Sequence, residues 1–345
     1  MDKKVKCIVW DLDNTIWDGI LLEDSAVTLK KDIDKVIKTL DERGILQSIA
    51  SKNEYEIAMS KLKEFGLDEY FIYPQINWNS KADSVKTIAD SINIGIDTVA
   101  FVDDQITERE EVAFAHMDVL VIDANDYFKI LEIDNMKPKS ITEDSKKRRL
   151  MYLNDIARKQ EEERFTGSSE EFLATLNMKL KISRVKEEDL KRVEELTVRT
   201  NQLNSTGYTY SFEELNHLIH SEQHIFLVAE LNDKFGEYGK IGIVLLERDS
   251  EKYTIKLLLM SCRVMTKGIG TAMLIHIIKL AQASNKQLFA EFLHTDRNRV
   301  MYITYKFMGF EDFESENNSV LLKYESEKER EYPGYLEVIL DQDNI

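Results

Sequence analysis

The sequence has few cysteines and no long hydrophobic run. Only Cys7 and Cys262 occur among 345 residues, which is too few for a disulfide framework and favours a reducing compartment. No apolar stretch approaches the roughly 18–20 residues needed to span a bilayer, and Asp11 interrupts the first apolar run too early for a secretory signal peptide. We therefore expect a cytoplasmic protein that has no membrane partner.

Positive charge is also scarce. Lys and Arg total 46 against 63 Asp and Glu, which gives a formal net charge of −17. Nucleic acids and anionic membrane surfaces are bound through clustered positive charge, so this balance argues against both as partners. One dense basic run, Lys146-Lys147-Arg148-Arg149, stands out in this acidic chain. It predicts either a solvated helix face or a docking surface for an acidic carrier protein.

The length and the 43% hydrophobic fraction are sufficient for two folded domains. In the first part of the chain, buried-strand patterns at 5–10, 45–50 and 98–102 alternate with helical patterns, which predicts an α/β fold with a doubly wound parallel sheet. Farther along, helices and strands are mixed, and three consecutive strands precede a glycine turn. The predicted divisions are a first α/β domain at 1–135, a helical linker at 136–175, a second α/β domain at 176–325 and an acidic, peripheral C-terminal tail at 326–345.

Polar side chains occur where the predicted strands and loops of the first domain end. In chain order they are Asp11, Asp13, Ser51, Lys81, Asp103 and Asp104. Open α/β sheets bind ligands in the crevice at the carboxyl ends of their strands, so these side chains are expected to meet there. An acidic pair at one strand end is equally compatible with solvated loop residues. The ordered set is more informative than any single pair.

This ordered set resembles the four motifs of the haloacid-dehalogenase (HAD) superfamily of phosphotransferases. The resemblance implies that Asp11 is the nucleophile that forms an aspartyl-phosphate, and that Asp13 protonates the leaving group and later activates water. It also implies that Ser51 and Lys81 hold the phosphoryl oxygens. The implied Mg²⁺ ligands are Asp11, Asp13 through its backbone carbonyl, Asp103 and Asp104.

The spacing of these motifs leaves no room for an inserted cap domain. The residues between Asp13 and Ser51, and those between Lys81 and Asp103, are mostly accounted for by one predicted helix and one predicted strand in each case. We therefore expect a capless HAD-like site that a large or carrier-borne substrate could reach. The alternative is that the second domain covers the site.

The second half resembles the GNAT acyltransferase fold. The resemblance rests on three strands, the turn Gly268-Ile269-Gly270, a helix, a further strand and then Asn298. It implies that Gly268, Gly270 and Asn298 belong to a cofactor site in which the helix N-terminus binds a pyrophosphate. Met265 stands where acetyl-CoA enzymes of this fold usually carry Gln or Arg, which argues against ordinary acetyl-CoA binding.

Taken together, the two halves resemble the FkbH-like family over almost the whole chain. The segments that carry this resemblance are DLDNTIWDG, IASKNE, INWNSK, FVDDQITEREEV, RTNQLNST and MSCRVMTKGIG. The resemblance implies an enzyme that takes the glyceryl unit of 1,3-bisphosphoglycerate, a small phosphorylated three-carbon substrate, and removes phosphate. The glycerate is then loaded as a thioester onto the phosphopantetheine arm of an acyl carrier protein for polyketide-type biosynthesis. The alternative is a Mg²⁺-dependent HAD phosphatase of a free small phosphate, with the GNAT-like half as a lid or carrier-binding module.

Cys262 is the candidate for carrying the acyl group. It lies in the SCRV part of the family motif, whereas a cysteine at a strand end is often only a small buried hydrophobe. Cys7 lies inside an apolar strand and is expected to be structural. His294 ends the next parallel strand, so a Cys–His pair that activates the thiol is one interpretation, and a surface histidine is the other.

Overall fold

The computed structural model describes residues 4–341, which divide after Leu153 into two compact units. This division falls inside a long helix, Arg148–Arg164, that occupies the middle of the predicted linker at 136–175. Among residues 4–341, none of the helices combines the length and the apolar character needed to cross a bilayer.

The first unit is built around a parallel five-stranded sheet. The strand order is β5-β4-β1-β6-β7. The chain therefore builds the sheet from β1 outward to β5 on one side, and then adds β6 and β7 on the other side of β1. Each hydrogen-bonded pair in it is parallel. The elements are β1 (Cys7–Trp10), β2 (Trp17–Asp18), β3 (Thr28–Leu29), α1 (Ile33–Glu42), β4 (Leu46–Ser51), α2 (Tyr55–Glu64), β5 (Gln75–Ile76), α3 (Lys81–Ile92), β6 (Val99–Asp103), α4 (Ile106–Ala115), β7 (Leu120–Asp123), α5 (Glu143–Lys146) and α6 (Arg148–Arg164).

Apolar residues at the expected spacing form the core of this unit. All four residues of β1 are buried, which is typical of a parallel strand covered on both faces. Helix α1 buries Ile33, Val36, Ile37 and Leu40 on one face. Only β2, β3 and α1 lie between Asp13 and β4, and these small elements are not a cap domain, as the motif spacing predicted.

The second unit is built on an eight-stranded mixed sheet. The strand order is β13-β14-β12-β11-β10-β9-β8-β15, with parallel pairing between β11 and β12 and between β8 and β15. Apolar side chains cover both faces, with α10 and α11 on one face and α8 and α9 on the other. The elements are α7 (Ser169–Thr175), β8 (Met178–Arg184), α8 (Leu190–Arg199), α9 (Phe212–Ile219), β9 (His224–Asp233), β10 (Gly236–Arg248), β11 (Lys252–Met260), α10 (Ile269–Ala283), β12 (Gln287–Leu293), α11 (Arg299–Phe307), β13 (Phe310–Glu316), β14 (Ser319–Tyr324) and β15 (Leu336–Leu340).

The segment described above as a peripheral acidic tail contains a strand of the main sheet. Strand β15 pairs with β8 over five registered residues, and Leu336 is buried in the core. Pairing at this position satisfies an edge of β8 that would otherwise present unpaired backbone groups. The many charged residues just before β15 are typical of an exposed tail, so this strand was not predicted from the sequence.

Candidate functional site

The carboxyl end of β1 places two aspartates at one edge of the first sheet. Asp11 is buried, and its backbone N–H donates to the Val102 carbonyl of neighbouring β6 at 2.9 Å. Asp13, two residues later, is half-buried. Because β1 lies where the strand order reverses, both residues open onto the crevice at which α/β sheets bind ligands.

Lys81, at the start of α3, links the ends of three strands. Its ammonium donates to the Asp11 carboxylate and, at 2.7 Å, to the Ala50 carbonyl, and it lies 3.2 Å from Asp103 Oδ2. Burial acts to lower the pKa of Lys81, but the negative charges of Asp11 and Asp103 outweigh burial and raise that pKa above its usual value. Lys81 is therefore a buried, permanently charged cation. It is placed to neutralise anionic groups in this crevice.

Three carboxylates meet at the same edge. One oxygen from each of Asp11, Asp103 and Asp104 lies within 4.8 Å of the other two. Burial, followed by the charge of Asp11, raises the pKa of Asp103 to about 7 and also raises the pKa of Asp104. The buried Asp104 Oδ1 has no hydrogen-bond partner among the described residues. A crowded set of hard oxygen donors with an orphaned oxygen fits a divalent cation such as Mg²⁺.

The Asp13 side chain is held apart from this carboxylate cluster. Its Oδ1 accepts the Trp17 indole N–H at 2.8 Å and the Leu21 backbone N–H at 3.0 Å, while its Oδ2 accepts the Asn53 amide at 3.0 Å. Burial raises the pKa of Asp13, and the hydrogen bonds from Leu21 and Trp17 oppose that rise. The carboxyl group is therefore oriented by named donors. Asp13 could contribute to a metal site through its backbone carbonyl, as the resemblance implied.

Arg109, in α4, holds the loop that carries Asp103 and Asp104. One guanidinium nitrogen donates to both of their backbone carbonyls at 2.8 Å, and another pairs with Asp123 at 2.6 Å. Sequence reasoning did not single out Arg109, Trp17 or Asn53. All three lie inside segments that were singled out, but their roles depend on tertiary contacts.

Ser51 occupies the position predicted for it, at the buried end of β4. Its backbone carbonyl accepts the Asn77 N–H at 3.0 Å, which joins β4 to the loop before α3. The six sequence-predicted residues of the first unit thus lie along one edge of one sheet. The proposed contact between the Ser51 hydroxyl and a phosphoryl oxygen stays a prediction.

The basic run is divided between structural and exposed residues. Arg148 is buried and donates to the Gly44 carbonyl at 2.7 Å. Arg149 pairs with Asp41 at 3.0 Å and with Glu69 at 3.3 Å. Only Lys146 and Lys147 are exposed, so the four residues do not form one continuous solvated patch.

In the second unit, Cys262 and His294 follow neighbouring strands. Cys262 is half-buried in a short 3-10 turn after β11, and His294 is exposed just after β12. The His294 ring lies against Phe292 and Tyr302, with ring centroids 4.9 Å and 5.0 Å apart. The pairing of Cys262 with His294 stays a prediction.

A segment of the second unit, Leu203–Ser205, lies between β11 and β12 where these two strands separate. Strands β11 and β12 pair only from Lys252 to Ile255, and the segment lies beyond that point. Ser205 donates to the Leu258 carbonyl at 2.9 Å and accepts the Leu293 N–H at 3.0 Å. The Met260 N–H donates to the Leu203 carbonyl at 2.9 Å. We call this segment the wedge.

Asn298 fastens the wedge in place. Its side-chain amide donates to the Asn204 carbonyl at 3.1 Å and to the Leu293 carbonyl at 2.8 Å, and its side-chain oxygen accepts the Thr295 N–H at 3.0 Å. Asn298 is fully buried. Asn298 therefore has a structural role, and the cofactor contact implied by the resemblance stays a prediction.

The glycine turn is also covered by the protein itself. Gly268 precedes α10 with a φ of +71°, a left-handed conformation that favours glycine. The Tyr335 hydroxyl and the Pro333 ring lie against Gly268 so closely that a Cβ there would collide with the hydroxyl. The Met260 side chain lies in the same way against Gly270.

Comparison with known protein families agrees with the geometry of the first unit. Residues 19–122 match the family model described as haloacid dehalogenase-like hydrolase. Over this range the first unit is therefore similar to HAD-like hydrolases. The match includes Ser51, Lys81, Asp103 and Asp104, whereas Asp11 and Asp13 precede it. The expectation of an enzyme is thereby confirmed.

Solved structures are similar to less than half of the chain in each case. One is the N-terminal part of a Bacteroides fragilis protein containing a phosphatase domain complexed with Mg, which is 30% identical over 40% of this chain and 42% of that chain, with a TM-score of 0.33. This chain therefore spans less than half of that structure's length. Another is the paia N-acetyltransferase from Thermoplasma acidophilum in complex with coenzyme A, at 18% identity over 43% of this chain and 99% of that chain, with a TM-score of 0.35.

The ribosomal-protein-S18-alanine N-acetyltransferase from Escherichia coli is 14% identical over 44% of this chain and 99% of that chain, also with a TM-score of 0.35. A comparison with curated proteins gave no match. The predicted α/β fold class is confirmed: the first unit has the expected parallel sheet and matches a HAD-like family model, and the second unit is a separate α/β unit on a mixed sheet.

Proposed function

We propose that the chain is a glyceryl transferase that dephosphorylates a phosphoglycerate-derived acyl group and loads it onto an acyl carrier protein. The observation that carries the phosphate chemistry is the bridge of Lys81 between Asp11 and Asp103, beside a cluster of three carboxylates at the sheet's switch point. Enzymes accelerate phosphoryl transfer mainly by positioning the reacting groups and by stabilising charge with groups of this kind. The second half of the reaction rests on the FkbH-like resemblance and on the GNAT-like fold.

Each residue of the crevice has a chemical part in this proposal. The Asp11 carboxylate attacks phosphorus, and the bond from phosphorus to the substrate's C3 oxygen breaks as Asp13 protonates that oxygen. Asp13 then takes a proton from a water molecule, which attacks phosphorus and releases inorganic phosphate from Asp11. Lys81 and the Ser51 hydroxyl balance the charge that develops on the phosphoryl oxygens.

A divalent cation such as Mg²⁺ would be held by Asp11, Asp103 and Asp104 and would neutralise phosphoryl charge. Thioester formation uses the other phosphate of 1,3-bisphosphoglycerate. A thiolate attacks the acyl carbon at C1, the carbon–oxygen bond to the acyl phosphate breaks, and inorganic phosphate leaves. One water molecule and one carrier thiol therefore yield one glyceryl thioester and two phosphates.

One experiment separates this proposal from a simple phosphatase. The protein is incubated with 1,3-bisphosphoglycerate, Mg²⁺ and a holo carrier protein, and the carrier's intact mass and the released phosphate are measured. A glyceryl adduct on the carrier supports the proposal. Phosphate release in excess of spontaneous hydrolysis, without an adduct, would identify a phosphatase of free small phosphates, an alternative that the wedge favours by filling the strand gap. Asp11→Asn serves as the control that blocks C3 phosphate removal.

Cys262 is proposed to carry the acyl group before the carrier thiol receives it. Without carrier, the wild-type protein is expected to gain one glyceryl mass, and Cys262→Ala is expected to gain none. Cys7→Ala is the matched control, because Cys7 is buried within β1 and should leave the loading unchanged. Normal loading of the carrier by Cys262→Ala would show that transfer is direct and that Cys262 is a packing residue.

A further inference from the structure

A cavity of about 740 Å³ opens on the α9 side of the second sheet. Its size is within the range of small-molecule sites. The chain enters its wall directly after the wedge, at Thr206 and Gly207. Among the other lining residues, Tyr208 and Tyr210 precede α9 and Leu218 lies in α9. Lys256 lies on β11, Glu291 lies on β12, and Ser319 is the first residue of β14.

We propose that this cavity binds the pantetheine portion of the carrier arm, so that the glycine turn is not the arm's anchor. This inference rests on the proposed transfer to a carrier protein and names the site at which the second unit would receive the arm. It replaces the expectation that Gly268 and Gly270 hold the arm's phosphate.

The first step of the argument is that an extended arm finds no free strand edge between β11 and β12. An amide-containing chain laid along β11 would need the backbone groups of residues 258–260. Leu258 and Met260 already exchange hydrogen bonds with Ser205 and Leu203. Displacing the wedge would break these hydrogen bonds, and each buried group that the arm did not pair in turn would lack a partner.

The second step concerns the glycine turn. Tyr335 and Pro333 lie on Gly268, and the strand that follows them is paired with β8. A diphosphate that approached Gly268 from this side would have to displace that segment. The cavity, in contrast, is open without any rearrangement.

The third step is the chemistry of the cavity wall. Lys256 pairs with Glu291 and lies 3.5 Å from Glu247, and Glu214 accepts the Tyr208 hydroxyl at 2.8 Å. Three carboxylates therefore outweigh the single ammonium of Lys256, and the site does not favour a phosphate. Aromatic and aliphatic side chains with a few hydroxyls suit an uncharged chain of methylenes and amides, which is the chemistry of pantetheine.

Pantetheine, coenzyme A and 3-phosphoglycerate are the probes that test this site, with binding measured by calorimetry on the full chain. Pantetheine is expected to bind the wild-type protein, and coenzyme A no more tightly, because the added diphosphate finds no partner. Leu218→Trp should fill the cavity and weaken pantetheine binding at least about tenfold. Asn216→Trp places the same side chain on an exposed position of α9 and should leave the affinity unchanged.

Ser319→Tyr narrows the cavity at another lining position and is the second variant if Leu218→Trp lowers the Tm. Equal pantetheine affinity in the cavity variants and in Asn216→Trp would overturn the proposal. Coenzyme A binding ten times tighter than pantetheine, or displacement of pantetheine by 3-phosphoglycerate, would also overturn it. Carrier loading is measured separately by mass, so failure of the glyceryl-transfer proposal is distinguishable from failure of this one.

Discussion

A carboxyl group can transfer a proton to a substrate only if it is held in the right orientation, and in the first unit this concerns Asp13. Asp13 has a raised pKa because it is partly buried, yet its two oxygens accept three N–H donors. Such bonds favour the ionised form and hold the carboxyl plane in one direction. In the proposed reaction, Trp17 and Asn53 would therefore act through Asp13 as positioning residues.

Trp17→Phe should lower kcat about tenfold with little change in KM. The substitution keeps most of the aromatic packing and removes one donor to Asp13, whose net value is about 1–1.5 kcal/mol. Phosphate release from a small acyl or ester phosphate is the measurement. Trp78→Phe is the matched control, since Trp78 is 64% exposed. An equal effect in both variants, or a rise confined to KM, would contradict the positioning role.

Arg109 orients two of the candidate metal ligands through their backbone carbonyls. Its two bonds to the carbonyls of Asp103 and Asp104 orient the loop that supplies two of the three clustered carboxylates. Residues that orient metal ligands typically contribute 10–100-fold to metal affinity. Arg109→Gln should therefore raise the Mg²⁺ concentration needed for half-maximal activity by about tenfold.

Lys86→Gln is the control for the Arg109 experiment, because Lys86 forms an exposed ion pair with Asp90 on α3. Magnesium activation curves that coincide for Arg109→Gln and the wild-type protein would show that the loop is held by other contacts.

At the scale of elements, the short helix α5 and the start of α6 pack against the end of α1. Gly44 has a φ of +69°, and Arg148 and Ser145 lie so close to it that no Cβ would fit. Arg148 donates its bond to the carbonyl of this same glycine. The turn after α1 and the start of α6 therefore form one packed unit.

Arg148→Glu should destabilise the protein by about 3 kcal/mol, because a buried cation that bonds to a carbonyl is replaced by a buried anion without a donor. The Lys146→Glu/Lys147→Glu double variant changes only exposed side chains and should leave the Tm nearly unchanged. Urea unfolding followed by circular dichroism tests both. An equally stable Arg148→Glu protein would show that the residue is solvated.

The elements also show which features could be predicted from sequence. Residues such as Asp11 and Asp103 were predictable because parallel strands bring their carboxyl ends to one edge, whatever the details of packing. The wedge was not predictable, because TNQLNSTGYT has the composition of an exposed loop. Its bonds go to residues 258–260 and 293, which lie far away in sequence. Strand β15 was obscured by the adjacent charges for a related reason: its partner β8 begins at Met178.

At the scale of the whole molecule, a buried histidine in the second unit ties stability to pH. His276 lies on α10 with 5% exposure, its Nδ1 is 3.4 Å from the Tyr332 hydroxyl, and its Nε2 has no partner among residues 4–341. Burial lowers its pKa from 6.5 to about 4. The unfolded chain therefore binds a proton between these values while the folded protein does not.

Stability should consequently fall as the pH drops from about 6.5 towards 4, by up to roughly 3 kcal/mol from this group. In His276→Gln this part of the pH dependence should disappear, because the amide does not titrate. The measurement is the free energy of unfolding in urea across that range. His220→Gln, at an exposed position, is the control. Parallel pH profiles for wild type and His276→Gln would mean that other groups dominate.

The pairing of β15 with β8 has a consequence for the order in which the second unit folds. Residues 178–182 and 336–340 pair although almost the whole sequence of the second unit lies between them. Closing so long a loop is entropically unfavourable, and non-local parallel pairs form late. We therefore expect the β8 edge and Gly268 to stay uncovered until this pair forms. The same final event therefore protects the nascent sheet from edge-to-edge association and covers the glycine turn.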